Sequence, residues 1–333
     1  IQNGEVDIGA HESDGTVIPP QTSPVFYVRT DGDDTDDGLS WPTAKASVQA
    51  AIDTAAANGG GEVWVTSGSY VENVTVAGFV HLYGGFTGAE ADRNARDWRA
   101  NQTIIDGDGT GTVISFSCQF NTLDGFTVTD GAAQYGGGIY CSYNSPRFAN
   151  LQVTENTAKN GGGGLYIRSG NPTLTNCTFT GNSAGDGGGI YSSGSPTITN
   201  CTITGNSASD GGGVNSGGNP SLTSCTVFGN SAKDDGGGIY SRGGDPTLIN
   251  CTIIGNSAED DGGGIYSYTR YHHSPTMTNC LVAFNSSGIH CEYWANITIT
   301  HCCFYNPNGV YEFSGIVDPT GTDGNISAEP LCV

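Results

Sequence analysis

The sequence predicts an all-β chain wound as a parallel β-helix. The prediction rests on a fixed internal repeat, strand-like alternation within each unit and regularly spaced turn residues. Between residues 124 and 303 an Asn-Cys or Ser-Cys pair returns every 24 to 29 residues. The pairs are Asn176-Cys177, Asn200-Cys201, Ser224-Cys225, Asn250-Cys251 and Asn279-Cys280. Such a period indicates stacked units, which bury a hydrophobic face only against their neighbours.

Within each unit, apolar residues alternate with polar ones, as in Thr197-Ile198-Thr199 and Thr202-Ile203-Thr204. A period of two is typical of half-buried strands, and Gly, Pro, Asn and Ser separate the short runs. We therefore expect three short strands in each winding. Each residue then lies above its counterpart in the next winding, at a strand separation of about 4.8 Å.

Stacking in register predicts ladders of like side chains along the rod. The inward aliphatic ladder comprises Ile139, Leu165, Ile190, Val214, Ile239, Ile265 and Ile289. The outward aromatic ladder comprises Tyr140, Tyr166, Tyr191, Tyr240, Tyr266 and His290, interrupted by Asn215. An amide ladder at a bend comprises Asn156, Asn182, Asn206, Asn230, Asn256 and Asn285.

Three segments follow from the order of these patterns. Residues 1–25 are an N-terminal extension, for which a contact with another subunit is one interpretation. Residues 26–303 form the β-helix, with a capping helix at about 47–57 and regular repeats from about 124. An excursion at 88–100, rich in Arg and Trp, interrupts the early windings, and 304–333 is an irregular C-terminal segment. Ser47 is expected to cap the helix and Asn58-Gly59-Gly60 to end it.

Composition excludes some classes of partner. The 333 residues include 11 Lys and Arg against 33 Asp and Glu, for a net charge of −22. This balance argues against nucleic acid and anionic membranes as partners, and no apolar run is long enough to span a bilayer. Exposed Thr, Ser and Asn with scarce Lys favour a secreted, extracellular or cell-surface protein. Because the chain opens on Ile1, we expect a longer precursor.

Eleven Cys fit the repeat better than a disulfide framework. Six share one ladder, namely Cys177, Cys201, Cys225, Cys251, Cys280 and Cys302, and Cys141 and Cys291 share another. A buried thiol is a good small hydrophobe for a tight stack. Mostly unpaired thiols are therefore favoured, although neighbouring windings lie within disulfide range. An odd count leaves one Cys over, and Cys332 is the candidate for an intermolecular bond.

Several short segments carry a family resemblance. They are Tyr27-Val28, the run from Asp37 to Trp41, Val63-Trp64-Val65, Tyr83-Gly-Gly-Phe86 and Arg96-Asp97-Trp98. Together they resemble secreted bacterial right-handed parallel β-helix proteins of the pectin-lyase-like, choice-of-anchor type. The Gly-Gly-Gly-Ile-Tyr and Gly-Asn-Ser-Ala repeats are similar to those of polymorphic outer-membrane proteins. The resemblance covers nearly the whole chain and implies the fold, but this fold serves many activities.

The chain ends also resemble parts of such a module, in reversed order. Residues 6–11 are similar to its tail, and residues 325–331 to the segment before that tail. One interpretation is a single period of a tandem array. A second is head-to-tail joining of chains, and a third is a fragment cut from a longer protein.

Acidic positions before the Gly runs are the first candidate site. The residues are Asp186, Asp210, Asp234, Asp235, Asp260 and Asp261. Stacked carboxylates repel one another, and calcium between windings would relieve the repulsion. The competing interpretation is a solvated acidic edge that keeps rods apart. Calcium is also considered for the acidic turn at 31–38, but an EF-hand closes on Glu where Ala44 stands, so a polar turn is favoured.

Two other candidates involve aromatic or basic residues. The ladder of Tyr140, Tyr166, Tyr191, Tyr240 and Tyr266 would contact carbohydrate or pack laterally against another molecule. Its plainer interpretation is mutual stabilisation of neighbours within a sheet. The enlarged turn after Tyr266 supplies Arg270, His272 and His273, with Glu292 one winding later, as catalytic groups if the protein is an enzyme. An ordinary surface loop is the competing interpretation.

The sequence therefore favours a structural or adhesive protein that assembles head to tail into fibres or surface arrays. Low chemical diversity among the windings is the reason, because an active site needs varied groups. The first alternative is a calcium-dependent polysaccharide lyase or glycoside hydrolase. The second is a carbohydrate-binding module for a cell-surface or extracellular polysaccharide. Beyond calcium, no cofactor is expected.

Overall fold

The chain winds into four parallel sheets. The computed structural model describes residues 23–117, 121–143, 145–268, 275–292, 297–307, 313–314 and 317–330. Sheets A, B and C each receive one strand from almost every winding. Sheet D adds a fourth short strand to six windings, between their sheet B and sheet C strands. The three strands per winding predicted from sequence are thus confirmed, and the fourth is an addition.

Sheets A and B hold eleven strands each. Sheet A comprises Val25–Val28, Gly61–Thr66, Val80–Phe86, Thr122–Asp124, Arg147–Ala149, Thr173–Thr175, Thr197–Thr199, Ser221–Thr223, Thr247–Ile249, Thr276–Thr278 and Thr298–Thr300. Sheet B comprises Gly68–Val71, Thr103–Asp106, Phe126–Thr129, Gln152–Thr154, Thr178–Thr180, Thr202–Thr204, Thr226–Phe228, Thr252–Ile254, Leu281–Ala283, Cys303–Tyr305 and Ile326–Ser327. The last two sheet B strands reach or lie beyond residue 303, so the winding continues into the segment expected to be irregular.

Sheets C and D complete each winding. Sheet C comprises Val74–Val76, Ile114–Phe116, Ile139–Cys141, Leu165–Ile167, Ile190–Ser192, Val214–Ser216, Ile239–Arg242, Ile265–Tyr268, Ile289–Glu292 and Phe313–Ser314. Sheet D comprises Ala132–Tyr135, Thr157–Gly161, Ser183–Asp186, Ser207–Ala208, Ser231–Ala232 and Ser257–Ala258.

A short helix covers the N-terminal end of the rod. Helix α1 spans Val48–Ala57, and the Ser47 hydroxyl accepts the N–H of Ala50 at 3.2 Å, as a helix cap does. Its buried face includes Val48 and Ile52 and packs on the first strands of sheets A and C. The predicted capping helix is thus confirmed within a residue. Two single-turn 3₁₀ helices, Trp41–Thr43 and Arg93–Ala95, lie outside the windings.

The repeated Asn-Cys pair has a structural cause. Asn176, Asn200 and Asn250 adopt left-handed backbone conformations, with φ of 55°, 53° and 54°. Asn tolerates this region better than most residues, so it turns the chain sharply from sheet A to sheet B. The Cys that follows then points inward and is buried, as at Cys201. One pair therefore sets both the bend and the core position in every regular winding.

Glycine is required where windings approach most closely. A Cβ atom added at Gly212 would overlap the carbonyl oxygen of Ser231 in the next winding. Gly211 before it has a φ of 67°, a left-handed value that few other residues adopt. The Gly-Gly-Gly run thus makes the bend into sheet C.

The predicted core ladders are confirmed. Pairing sets Ile139, Leu165 and Ile190 above one another, and the rest of the aliphatic ladder follows in the same register. The six-Cys ladder is buried, and its members are free thiols. Cys332, the candidate for an intermolecular bond, lies outside the described residues.

The asparagine ladder is a continuous buried chain of hydrogen bonds. Asn206 donates from its side-chain Nδ2 to Oδ1 of Asn230 at 2.9 Å and to the carbonyl of Phe179 at 3.0 Å. Its own Oδ1 accepts both the backbone N–H and the Nδ2 of Asn182, each at 3.0 Å. Each amide therefore bonds to the next amide of the ladder and to bend backbone in an adjacent winding, as the sequence predicts.

Replacing Asn206 by Ala should lower the free energy of unfolding by about 3 kcal/mol, because several buried polar groups lose their partners at once. Urea unfolding followed by circular dichroism measures the change. Thr202→Ala, a surface substitution in the same winding, is the matched control and should cost under about 1 kcal/mol. Equal effects of the two substitutions would contradict the structural role of the ladder.

Candidate functional site

The tyrosine and acidic ladders, predicted separately, form one surface. Asp210 and Asp235 lie at the bend into sheet C, beside the tyrosine side chains on that sheet. Burial, and then the charges of Asp210 and Asp235, raise the pKa of Tyr240 to about 12. Asn215 takes the place of Tyr in one winding of the tyrosine ladder, and it donates its side-chain N–H to the backbone carbonyl of Asp210 at 3.3 Å. The surface therefore combines aromatic rings, hydroxyls and carboxylates.

Tyrosine rings stack face to face along the rod. Ring centroids are 5.5 Å apart for Tyr140 and Tyr166 and 5.0 Å apart for Tyr166 and Tyr191. The ring centroids of Tyr240 and Tyr266 are 5.1 Å apart, and the two ring planes are nearly parallel, with 5° between them. Their neighbours cover the ring faces, so the outer surface presents mainly edges. The rings are also more buried than expected, with Tyr240 8% and Tyr266 4% exposed.

The acidic ladder forms hydrogen bonds with its own backbone. The Asp235 N–H donates to Oδ1 of Asp210 at 3.2 Å, and the Asp261 N–H donates to Oδ1 of Asp235 at 3.1 Å. Burial, together with the charges of Asp210, Asp261 and Asp260, raises the pKa of Asp235 to about 6. Burial is also the main cause of the raised pKa values of Asp186 and Asp210.

The six predicted metal ligands fall into two sets. Asp186, Asp210, Asp235 and Asp261 share one ladder position, linked by these bonds and by a bridge between Asp186 and Asp210. Asp234 and Asp260 share the preceding position, where the Asp260 N–H donates to the Asp234 carbonyl at 3.1 Å. Within the described part of the chain, no three or more His, Cys, Asp or Glu side chains converge as a metal site would need. Calcium binding here stays a prediction.

A lysine ammonium occupies the acidic turn at 31–38. Lys45 is buried and donates from Nζ to the backbone carbonyls of Asp34 and Asp36. The Asp34 carboxylate in turn accepts the N–H groups of Ala46 and Ser47 at 2.8 and 2.9 Å. The ammonium thus supplies the positive charge that draws these two carbonyl oxygens together in the turn.

Lys45→Met should therefore lower the free energy of unfolding by about 2 kcal/mol, because two carbonyls lose a charged donor. Thermal unfolding measures the change, and Lys159→Met, at an exposed lysine of sheet D, is the control. If calcium restores the lost stability in the variant, the lysine acts as a substitute for the ion. No destabilisation at all would contradict this role.

Most of the proposed catalytic cluster lies outside the described residues. Arg270, His272 and His273 belong to that part of the chain, and Glu292 is the member that the structure describes. Burial, then the charges of Asp235 and Glu292 and a hydrogen bond with Glu292, raise the pKa of Tyr266. Glu292 thus contacts the end of the tyrosine ladder.

A cluster of charged and aromatic side chains that was not predicted from sequence lies at the N-terminal windings. The excursion after Phe86 lies against the outer face of sheet A, where Arg96 pairs with the buried Asp124 at 2.9 Å. Arg93 pairs with Glu62 and lies 4.6 Å above the Tyr83 ring. Trp41, Trp64 and Phe86 pack beside them. The concentration of Arg and Trp at 88–100 was the available signal, and its contacts mainly anchor the excursion.

Comparisons with known proteins agree with this architecture. A family model described as a right-handed beta helix region matches residues 168–318. The chain is similar to the solved structure of pectate lyase Pel9A, with 14% identity and a TM-score of 0.52 over 91% of this chain and 81% of that one. The fold is therefore that of a right-handed parallel β-helix protein. At this identity the likeness shows the fold alone.

Two further solved structures are similar. One is ORF18 of Geobacillus virus E2, with 16% identity and a TM-score of 0.48 over 87% of this chain. The chain spans 59% of the length of that protein. The other is the pectin methylesterase from Aspergillus niger, with 14% identity and a TM-score of 0.39, covering 95% of this chain and 92% of that one. No curated protein matches the chain. Among the described residues, no helix is long and apolar enough to cross a membrane.

The raised pKa of Asp235 predicts a pH dependence of stability. Its value of about 6 exceeds the ordinary value of about 3.9, so between these limits the folded chain holds more protons than the unfolded chain. The stabilisation from this group is fully present below about pH 4 and is lost as the pH rises through about 6. Asp235→Asn keeps the acceptor for Asp261 and removes the titration.

We expect the melting temperature of Asp235→Asn, relative to the unsubstituted chain, to rise as the pH increases from about 4 to about 7. Thermal unfolding at a series of pH values measures this difference. Asp108 lies at an exposed turn away from the ladder, so the melting temperature of Asp108→Asn should differ from that of the unsubstituted chain by the same amount at every pH. Parallel curves for Asp235→Asn as well would contradict the role of Asp235.

Proposed function

We propose that the chain is an extracellular structural or adhesive rod that joins other copies end to end. The observation that carries the proposal is the uniformity of the windings from Thr173 to Thr300, in which most positions repeat one kind of side chain. Catalysis needs several different groups brought together, whereas a rod needs one stable winding repeated. The uniform ladders therefore favour a structural role.

The two ends of the rod differ in a way that suits head-to-tail joining. Helix α1 covers the N-terminal end. At the other end, sheets A and B finish in the short strands Thr298–Thr300 and Ile326–Ser327, and Ile326 is 54% exposed. Open strand edges accept strands from other chains. We assign the donor role to the segment before Val25, of which residues 1–22 lie outside the described part.

Charge opposes contact between the sides of two rods. The net charge is −22, and the acidic ladder runs along the bend into sheet C. Like-charged surfaces repel over about 10 Å at moderate ionic strength. Repulsion between sides favours association through the ends, where strand edges supply hydrogen bonds.

End-to-end joining predicts linear oligomers that lengthen with protein concentration. Sedimentation velocity and electron micrographs at increasing concentration measure their size and shape. Deleting residues 1–22 should leave a folded monomer, because the donor strand is lost. Thr202→Ala, which changes only the side of the rod, should assemble as the unsubstituted chain does. A monomer at every concentration, or side-by-side bundles, would contradict the proposal.

The rival enzymatic function, a calcium-dependent lyase or hydrolase, is supported by the contact of Glu292 with the tyrosine ladder. Incubation with pectin and alginate, with and without calcium, tests it. Unsaturated or reducing ends that disappear with Arg270→Ala would replace the rod proposal. Carbohydrate binding by the tyrosine ladder is the other rival, although stacking covers most ring faces. Retention on a glycan that is lost with Tyr191→Ala and Tyr240→Ala would support that rival.

A further inference from the structure

The outer face of sheet A from Thr173 to Thr300 is an array of threonines. In each of six successive strands the middle residue points inward and the two flanking residues point outward. Ten of these twelve outward residues are Thr, and the others are Ser221 and Ile249. The threonines are Thr173, Thr175, Thr197, Thr199, Thr223, Thr247, Thr276, Thr278, Thr298 and Thr300. Thr is common at exposed strand positions because its branched side chain suits a pleated sheet, but the corresponding six strands of sheet B carry it at only six of twelve flanking positions. The excess of Thr on sheet A therefore needs an explanation beyond strand propensity.

This face has no charge in a strongly acidic protein. None of the eighteen residues in the six strands is charged, while the chain as a whole carries −22. The acidic ladder lies at a different bend, where sheet D leads into sheet C. The six strands also contain no aromatic side chain and no Asn or Gln amide. Such a face offers little to charged partners, or to sugars that stack on rings and bond to planar polar groups.

The array is periodic in two directions and nearly flat. Windings are about 4.8 Å apart, and alternate residues of one strand are about 6.6 Å apart. In neighbouring sheet C, stacked rings turn by only 8° between Tyr166 and Tyr191 and by 5° between Tyr240 and Tyr266. Strands of ordinary sheets rotate by about 20° to 25° each, so these windings twist little. Hydroxyls and methyls therefore repeat on a regular, shallow grid.

Four of the threonines in the array form hydrogen bonds with each other along the rod. The Thr276 hydroxyl donates to that of Thr247 at 3.3 Å, and the hydroxyls of Thr278 and Thr300 are 3.1 Å apart. Thr has few χ1 rotamers because it is branched at Cβ. A partner with a matching period would thus lose little free energy to side-chain ordering.

A second copy of the chain is a poor occupant of this face. Six windings at about 4.8 Å, and a width of roughly 10 Å, give only roughly 300 Å² per copy. Stable protein interfaces bury about 1,200 Å² or more in total. The repulsion between two rods of net charge −22 adds to this deficit. The fitting occupant is a neutral solid whose own surface repeats in two directions.

We propose that this threonine face of sheet A adsorbs to ice. Water in ice is neutral, periodic and able both to donate to and to accept from hydroxyls, while the methyl groups order the adjacent water. Each Thr supplies both groups at one grid point. The proposal concerns the side of the rod, so it is independent of end-to-end assembly and can fail or succeed separately.

Ice partition of the full chain tests the proposal. A dilute solution is frozen slowly from a seed crystal, and the protein is measured in the ice and in the remaining liquid. The unsubstituted chain should be enriched in the ice, whereas a globular control protein is excluded. The double substitution Thr199→Tyr and Thr223→Tyr places two bulky rings in the middle of the threonine face, where they would hold a flat surface away from it. It should lower the partition by about tenfold, the equivalent of about 1.4 kcal/mol.

The matched control carries the same substitutions on sheet B. Thr202→Tyr and Thr226→Tyr lie in the same two windings and point outward on the neighbouring face. This control should partition as the unsubstituted chain does, and equal melting temperatures establish that both variants are folded. Exclusion of the unsubstituted chain from ice would overturn the proposal. Equal loss in both variants would also overturn it, because sheet A would then not be the adsorbing face.

Two other occupants have their own readouts in the same experiment. Retention on microcrystalline cellulose or chitin that is lost only in the sheet A variant, without enrichment in ice, would assign the face to a polysaccharide and overturn the proposal. Side-by-side dimers in sedimentation that disappear in the sheet A variant would assign it to a second copy. Enrichment in ice that the sheet A variant alone loses supports ice as the occupant.

Discussion

Register between successive windings is the constraint on which the structure depends, and the buried asparagine ladder enforces it. A slip of one residue would turn Ile203 outward and Thr204 inward, because strand side chains alternate. It would also remove the partners of Asn206, whose amide bonds to Asn182 and Asn230 in the adjacent windings. A hydrophobic column alone tolerates sliding, since Ile and Val are interchangeable partners. Directional amide bonds are not interchangeable, so they fix the register.

Because the register is fixed, each side of the rod acquires a chemistry of its own. Whatever residue occupies a position in one winding is repeated about 4.8 Å away in the next. The bend into sheet C thereby becomes an acidic edge, and the outer face of sheet A from Thr173 to Thr300 becomes neutral. Asp235 illustrates a consequence of repetition, since burial and then the charges of its neighbours in the ladder raise its pKa to about 6. Repetition thus produces both the rod and the unfavourable proximity of its carboxylates.

Sequence alone could predict the features that repeat and could not predict those that arise between repeats. Ile190 and Asn206 were placed correctly because the period fixes which residues lie above them. The contact between the tyrosine and acidic ladders depends on the path of the chain from sheet D into sheet C. The strands of sheet D are too short to show a clear alternation of polar and apolar residues in the sequence. Lys45 and Arg96 act in unrepeated turns, where spacing gives no indication of which groups meet. Arg96 reaches Asp124 across a 28-residue separation.

The two halves of sheet A show where chemical function can reside in such a fold. Its early strands carry Glu62, His81 and Asp124 outward, and the excursion with Arg93 and Arg96 lies against them. Its later strands carry Thr in the same positions. Varied groups occur where the winding is irregular, because each irregular turn can bring a different side chain to the sheet. Uniform groups occur where register is strict, and a uniform face recognises only a partner that is itself periodic. Strict winding therefore suits the later strands of sheet A to repetitive surfaces.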